Sequence, residues 1–229
     1  MMKKMMKTTC ALAVLAASCN VMAESVDMRV IGAVTPVACK PELSDNGVVD
    51  FGNINSNALN KDEITFLPTK NIKLSINCSA PAKVALLATN ARPGSTLGAT
   101  AEGPAGTAKP LDTKGMGNGG VAGLGMDGDK KIGAYGMVMI ESKLDGVGVE
   151  NLRSNDRNSW SSAYADSFFD DRGTYKYLSW YQNDVREPVA FKNMTATITF
   201  STYVNKASEL DLSKPIKIDG LANIEMFYL

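Results

Sequence analysis

The chain has 229 residues, and its charge is balanced, with 24 basic and 24 acidic side chains. Balanced charge offers little attraction to a polyanion, so nucleic acid is not an expected partner. The chain contains no histidine, which excludes histidine-dependent nucleophilic catalysis and histidine-ligated metal centres. The composition therefore favours a non-enzymatic protein that needs neither a metal nor another cofactor.

The N-terminal segment has the three parts of a secretory signal. Basic residues among positions 1–7 are followed by an apolar run over residues 10–17. Val21 and Ala23 then stand at positions −3 and −1 of a cut before Glu24, where both are residues that a cleavage site permits. The apolar run is too short to cross a bilayer as a helix, and no later stretch is long enough to do so.

We therefore expect residues 1–23 to be removed on export to the periplasm or the cell surface. Residues 24–229 then form a single domain of ordinary size. A lipoprotein signal is the alternative, because residues 15–19 nearly match the motif that precedes a lipid-modified cysteine, here Cys19.

The mature chain retains two of the four cysteines. Cys10 and Cys19 leave with the predicted signal, whereas Cys39 and Cys78 remain. Two thiols in an oxidising compartment predict one disulfide, between Cys39 and Cys78.

Short segments with alternating apolar and polar side chains follow one another along the mature chain. In chain order they are residues 27–37, 48–52, 71–78, 83–89, 132–140, 194–204, 216–218 and 222–229. Turn-forming residues separate them, and none has a long helical period with caps. The pattern predicts an all-β fold, an antiparallel β-sandwich with long surface loops.

Two segments are predicted to be long loops. Residues 91–130 are rich in small side chains and glycine, and we expect them to bury too little apolar surface to offset their ordering entropy. Residues 144–172 are dense in Asn, Asp and Ser. Loops of such length in a compact domain are functional or disordered.

Aromatic residues crowd the region that follows residue 159. Trp160, Tyr164, Phe168 and Trp180 are candidate ligand-facing aromatics, since exposed rings can stack on sugar rings. The competing interpretation is that the same rings pack against the sheet, because aromatic side chains belong mostly to protein cores.

Acidic residues in the same part of the chain have an ordinary explanation as turn formers. Asp127 and Asp129 form a fragment of a calcium-loop pattern without its later Glu, so a simple turn is expected. Asp156 with Asp166, Asp170 or Asp171 is the only carboxylate grouping that suggests a glycosidase pair, and we again favour turns.

Several motifs together resemble a known family. They are the run Val-Ile-Gly-Ala-Val-Thr-Pro-Val-Ala-Cys at residues 30–39, Val-Asp-Phe-Gly at 49–52, Leu-Ser-Ile-Asn-Cys at 74–78, Ile-Lys-Ile-Asp-Gly at 216–220, and a penultimate aromatic, Tyr228. The chain resembles GltF-like fimbrial-subunit-like periplasmic proteins and, through them, chaperone–usher pilins.

The resemblance implies an immunoglobulin-like sandwich that lacks its last strand. An apolar groove beside the C-terminal strand is then filled first by a periplasmic pilus chaperone and later by a neighbouring fimbrial subunit. The implied strand interface consists of Ala222, Ile224, Met226 and Tyr228, and the implied function is that of a fimbrial or tip-type subunit. The alternative for this segment is an ordinary, fully paired last strand.

The chain also departs from polymerising pilins. Only residues 24–38 precede Cys39, so Val26, Met28 and Val30 can serve as a donor strand or as the first strand, but hardly as both. The rival function is a stand-alone periplasmic protein that recognises a ligand through its aromatic-rich loop.

Overall fold

The structure is a computed structural model that describes residues 28–32, 36–116, 119–162 and 167–229. The predicted signal, the lipoprotein motif, Val26, Tyr164 and Asp166 lie outside these residues. The chain divides into Met1–Thr35 and Pro36–Leu229. In the first part, residues 28–32 have no regular secondary structure, and their apolar side chains are exposed.

The second part is built from short strands. In chain order they are β1 (Cys39–Leu43), β2 (Thr65–Phe66), β3 (Lys70–Ala82), β4 (Val84–Asn90), β5 (Ala122–Gly123), β6 (Met126–Asp127), β7 (Lys130–Lys131), β8 (Gly133–Leu144), β9 (Val147–Gly148), β10 (Glu150–Ser154), β11 (Ser161–Ser162), β12 (Tyr177–Tyr181), β13 (Phe191–Val204) and β14 (Ala222–Tyr228). Short 3₁₀ helices are Ser44–Gly47, Ser56–Ala58 and Ala207–Glu209. The described residues contain no α-helix, so the all-β prediction is confirmed.

The strands form two antiparallel sheets that pack as a sandwich. Sheet 1 has the order β1-β3-β13-β8-β5, with β2 paired to β13 and β9 paired to β8. Sheet 2 has the order β11-β10-β12-β4-β14, and β6 and β7 form a separate ribbon. Strand β1 therefore lies at an edge of sheet 1, and β14 lies at an edge of sheet 2.

Alternation along the strands places the core between the sheets. In β3, the buried side chains of Ile72, Leu74 and Ile76 point inward, while Lys73 is exposed. Because successive side chains in a strand point to opposite faces, one face of each sheet is apolar. Further core residues are Val84, Leu86, Ala88, Ala196, Ile198 and Phe200.

The prediction of a first strand over residues 27–37 is wrong for the described residues. Residues 28–32 and 36–38 are not in a strand, and β1 begins at Cys39. Pro36 has no backbone N–H to donate to a neighbouring strand, so regular strand pairing is interrupted at this residue. Cys39 lies directly opposite Cys78 in the register of β1 and β3, and the predicted disulfide joins them.

The prediction of an unpacked loop over residues 91–130 is also wrong. Ala108, Met116 and Val121 in this segment are completely buried, and β5 extends sheet 1 beside β8. Ala108 and Val121 exchange two backbone hydrogen bonds, and the Tyr203 hydroxyl donates to the Leu97 carbonyl. The segment thus satisfies its backbone groups by packing on the sandwich.

Small side chains are the reason that this segment can pack so closely. A Cβ added at Gly120 would lie 2.2 Å from the Asp170 carbonyl oxygen. A Cβ added at Gly123 would lie 2.1 Å from the Ser95 hydroxyl oxygen. Close backbone approach supplies contacts that an estimate based on side-chain hydrophobicity leaves out.

The second predicted loop, residues 144–172, is a loop only in part. It contains β9, β10 and β11, and β10 pairs with both β11 and β12 in sheet 2. Asn151 and Leu152 of β10 are buried despite their polar neighbours. The sequence did not reveal this short strand, because Asn, Asp and Ser, which are typical of loops, are frequent around it.

Loss of the disulfide should lower stability. Cys39 and Cys78 are separated by 39 residues in sequence, and a loop of this length contributes about 4 kcal/mol in the chain-entropy account. We expect Cys39→Ser/Cys78→Ser to lower the free energy of unfolding by a few kcal/mol in denaturant titrations. Equal stability of the oxidised and reduced wild-type protein would contradict this role.

Gly123→Ala should destabilise the fold if residues 91–130 pack as described. The new methyl group collides with Ser95, including backbone atoms of that residue, so a cost of about 2 kcal/mol or more is expected. Gly148→Ala is the matched control, because nothing lies within 4 Å of a Cβ at Gly148. Thermal melts compare the two variants, and equal melting temperatures would contradict the close packing.

Candidate functional site

The C-terminal strand β14 is held from one side. Among the described residues, β4 is the only strand that pairs with it, from Ala222 opposite Asn90 to Tyr228 opposite Val84. Seven residues of strand therefore present a second side that no strand of the described chain covers. An uncovered edge of this kind is a template for pairing with another chain.

The hydrogen-bond register decides which backbone groups face the open side. The Leu229 N–H donates to the Lys83 carbonyl, and the Ala91 N–H donates to the Leu221 carbonyl. In an antiparallel pair, bonded and non-bonded residues alternate, so the odd-numbered residues of β14 bond to β4. The N–H and C=O groups of the even-numbered residues point away from β4 and are Ala222, Ile224, Met226 and Tyr228.

The same even-numbered residues direct apolar side chains toward the core. Ala222, Ile224 and Met226 pack against the core cluster but stay half-buried. On the neighbouring strand β4, the inward Leu86 is completely buried. The difference follows from position, because no strand of the described residues covers the outer side of β14. One row of residues thus offers both open backbone groups and open apolar surface.

A cavity of about 180 Å³ opens beside the first half of β14, where Ala222 and Ile224 line it, and we call it the β14 slot. From the side of sheet 1 it is lined by Leu43, Val49 and Phe51. The buried Thr202 also lines it, and the hydroxyl of Thr202 has no hydrogen-bond partner among the described residues.

Residues 48–51 form the wall opposite β14. Val49 and Phe51 are half-buried, while Val48 and Asp50 are exposed, which is the alternation of an extended strand. Yet within the described chain this segment pairs with no strand. The β14 slot therefore lies between two extended segments that both lack a neighbour on the side of the slot.

The strand end carries a hydrogen bond to the opposite sheet. The Cys39 N–H donates to the Tyr228 hydroxyl oxygen at 2.7 Å. Cys39 belongs to β1 and is held by the disulfide to Cys78. The penultimate residue thus closes one end of the opening between β1 and β14.

An ion pair fixes the chain just before β14. The Arg92 guanidinium donates to both carboxylate oxygens of Asp219, at 3.2 and 3.1 Å, and to the Asp219 carbonyl. These hydrogen bonds, with the positive charge, lower the pKa of Asp219 below its ordinary value. The start of β14 is therefore tied to the segment that follows β4.

The structure corrects the predicted ligand-facing aromatics. Phe168 and Trp180 are completely buried, and Trp180 meets Phe191 edge to face with ring centroids 5.5 Å apart. These two rings pack in the core, as the competing interpretation of the sequence predicted. Trp160 is half-buried, and Tyr164 lies outside the described residues.

A different aromatic group lies on the outer face of sheet 2. Tyr177 and Phe227 meet edge to face at 5.5 Å, and the Arg157 guanidinium lies over both rings, at 5.2 and 4.8 Å. Alternation along β14 places Phe227 on the face opposite to the residues that line the slot, so the sequence predicts the face on which Phe227 lies. No sequence pattern predicts the position of Arg157.

The acidic residues form turns in this structure. Asp127 and Asp129 belong to the β6–β7 hairpin, and Asp127 pairs with Lys214 at 3.0 Å. Backbone N–H groups of Asn158 and Ser159 donate to Asp156 and lower its pKa. In the described ranges, no group of three or more acidic or cysteine side chains is arranged to hold a metal ion.

Comparison with known proteins yields matches of two kinds. Residues 28–136 match the family described as "Protein of unknown function (DUF1120)". The chain is 26% identical over 226 residues to the "Uncharacterized protein YhcF" of Escherichia coli (strain K12), covering 90% of each chain. It is 27% identical over 224 residues to "Protein GltF" of the same organism, covering 89% of this chain and 88% of GltF. These matches support the resemblance to GltF-like proteins.

The Arg92–Asp219 pair should make stability depend on pH in the acid range. Because the pKa of Asp219 is lower in the folded state, its contribution is present above the ordinary value of 3.8 and is lost as the pH falls through the folded-state pKa. We expect Asp219→Asn to lower the melting temperature at neutral pH and to flatten its decline in acid.

Asp62→Asn is the control for this experiment, because Asp62 is exposed and has no partner among the described residues. Its melting temperature should follow that of the wild type at every pH. If the curves of Asp219→Asn and the wild type run parallel, the ion pair does not anchor β14.

Proposed function

We propose that this chain is a non-enzymatic, fimbrial-type subunit that works by strand complementation. In this proposal, an extended segment of a partner protein enters the β14 slot and pairs with β14. The supporting observation is that Ala222, Ile224, Met226 and Tyr228 combine half-exposed apolar side chains with open backbone groups.

The dimensions of the site suit a strand. Seven residues of β14 extend over about 23 Å at the usual rise of a β-strand. A strand placed beside them gains main-chain hydrogen bonds with the even-numbered residues, while its alternate side chains cover Ile224 and Met226. Residues 48–51, which line the other side of the slot, offer a second extended neighbour.

The edge of β14 also lacks the usual protection against pairing. Soluble proteins blunt an open edge with proline, with an inward-pointing charge or with a bulge. The inward residues of β14 are all uncharged, its sequence contains no proline, and its register with β4 is regular. An edge of this length that remains unprotected favours a partner over a free monomer.

The partners follow from the resemblance to chaperone–usher pilins taken with this slot. We infer a periplasmic pilus chaperone as the first occupant and a neighbouring fimbrial subunit as the second. Export through residues 1–23 would bring the chain to the periplasm, and from there to a cell-surface fimbrium. None of the described residues forms a helix long and apolar enough to cross a membrane.

The start of β1 supports a donor role for the N-terminus. Met28 and Val30 are 89% and 92% exposed, and β1 begins only at Cys39. These alternate apolar residues are therefore not used in the first strand. Met28 and Val30 are thus available to serve as a donor strand.

The rival function, a stand-alone binding protein that uses its aromatic loop, has less support. Two of the four aromatics it relied on, Phe168 and Trp180, are completely buried. The rings of Phe168 and Trp180 are therefore not available to stack on a ligand.

Production of the mature chain in a periplasm with and without a pilus chaperone tests the proposal. We expect a low yield of folded chain alone, and a one-to-one complex with a higher melting temperature when the chaperone is present. Met226→Lys should weaken this complex by about a hundredfold, because an inward charge facing an apolar strand costs about 2–3 kcal/mol.

Glu225→Lys is the matched control, because it places the same charge one residue away on the outer face of β14. This variant should retain the complex. A wild-type chain that is a sharply melting monomer, with no gain from the chaperone, would contradict strand complementation.

A further inference from the structure

A polar cleft of about 1540 Å³ crosses the outer face of sheet 1. Its floor side chains alternate with the core side chains of β3 and β13, and no residue of β14 lines it. Its floor is formed by β3, β13 and β8, and its rims are formed by β1 on one side and by β10 and the end of β12 on the other. A ligand bound here would not compete with a strand at β14.

The floor presents hydroxyl groups in register. Ser75 of β3 lies opposite Thr195 of β13, and Thr195 lies opposite Lys143 of β8. One step along the sheet, Thr197 lies opposite Lys73. Because neighbouring strands are about 4.8 Å apart, these rows place polar groups at short, regular intervals across the cleft.

A β-bulge in β8 directs a carboxylate into the cleft. The register of β8 against β13 shifts between Thr195 and Thr197, and Ile140 and Glu141 are both exposed as a result. Glu141 has a φ of 56°, and it accepts a hydrogen bond from the Thr197 hydroxyl at 3.2 Å. Bulges commonly re-aim a side chain in this way.

The rim beyond β12 supplies amide groups. Gln182 and Asn183 follow Tyr181 in a tight turn, and both line the cleft. The side chains of Gln182, Asn183 and Lys73 make no hydrogen bond or ion pair with any other described residue. Donors and acceptors therefore remain available on the rim and on the floor.

The architecture excludes two classes of occupant. The floor strands β3 and β13 are paired on both sides, so an incoming peptide cannot add to them as a strand. Charges of both signs line the cleft, and they are Lys73, Lys143, Glu42, Glu141, Glu150 and Asp184. Glu42 is already paired with Lys40 at 2.6 Å. A polyanion finds no positive excess here.

We infer that the polar cleft binds a short neutral oligosaccharide through side-chain hydrogen bonds. Sugar hydroxyls donate and accept at every ring, which matches a floor of Thr and Ser hydroxyls beside carboxylate and amide groups. Tyr181 is only 6% exposed, so no ring of this residue stacks on the sugar. Weak binding is therefore expected, with a dissociation constant of about 1 mM.

Titration of the full mature chain with maltotetraose and with chitotetraose, followed by amide chemical shifts, tests this site. We expect at least one of these neutral probes to shift amides of β13 and of the turn after Tyr181. Thr197→Val should weaken binding at least about fivefold, and Glu141→Gly should weaken it similarly. Glu141→Gly should also raise the melting temperature, because glycine adopts a positive φ without strain.

Thr199→Val is the matched control on the same strand and face. Its hydroxyl is buried without a partner and does not line the cleft, so this variant should bind like the wild type. The inference is overturned if neither probe binds at about 10 mM, or if all three variants bind equally. A preference for an anionic oligosaccharide would overturn it as well.

Discussion

Among the described residues, β14 pairs with β4 alone, and the candidate site depends on this one-sided pairing. Because a strand bonds through alternate residues, one-sided pairing leaves the N–H and C=O groups of the even-numbered residues open. The pleat sends the side chains of those same residues inward. A missing neighbour therefore opens the backbone and the core at one place, and this is why Ile224 and Met226 remain half-buried beside a fully buried Leu86.

The rest of the sandwich holds that opening in shape. On the side of sheet 1, the disulfide fixes Cys39 to β3, and the Cys39 N–H in turn binds Tyr228. At the other end, Arg92 holds Asp219. At the far edge of sheet 1, by contrast, residues 91–130 pack closely, and their glycines lie in close contact with neighbouring backbone. Within the described chain, no strand covers the second side of β14.

The sequence predicts the structure correctly where the alternation of apolar and polar residues matches the packing of the strands. The face of β14 that carries Ile224 and the faces of β3 and β13 were predictable from alternation. The disulfide was predictable because two cysteines remain in a chain with an export signal. Prediction failed where burial comes from backbone approach instead of apolar side chains, as at Gly123. It also failed for Trp180, because its burial is set by the opposite sheet, and for β10, whose polar residues are buried by long-range pairing.

Hydrogen–deuterium exchange of the β14 amides tests the open edge most directly. In the isolated chain, the account predicts rapid exchange at Ile224 and Met226 and slow exchange at Glu225 and Phe227, which bond to β4. On binding a partner strand, the two rapid amides should become protected. Equal protection of all four amides in the isolated chain would mean that β14 already has a second neighbour, and the account would fail.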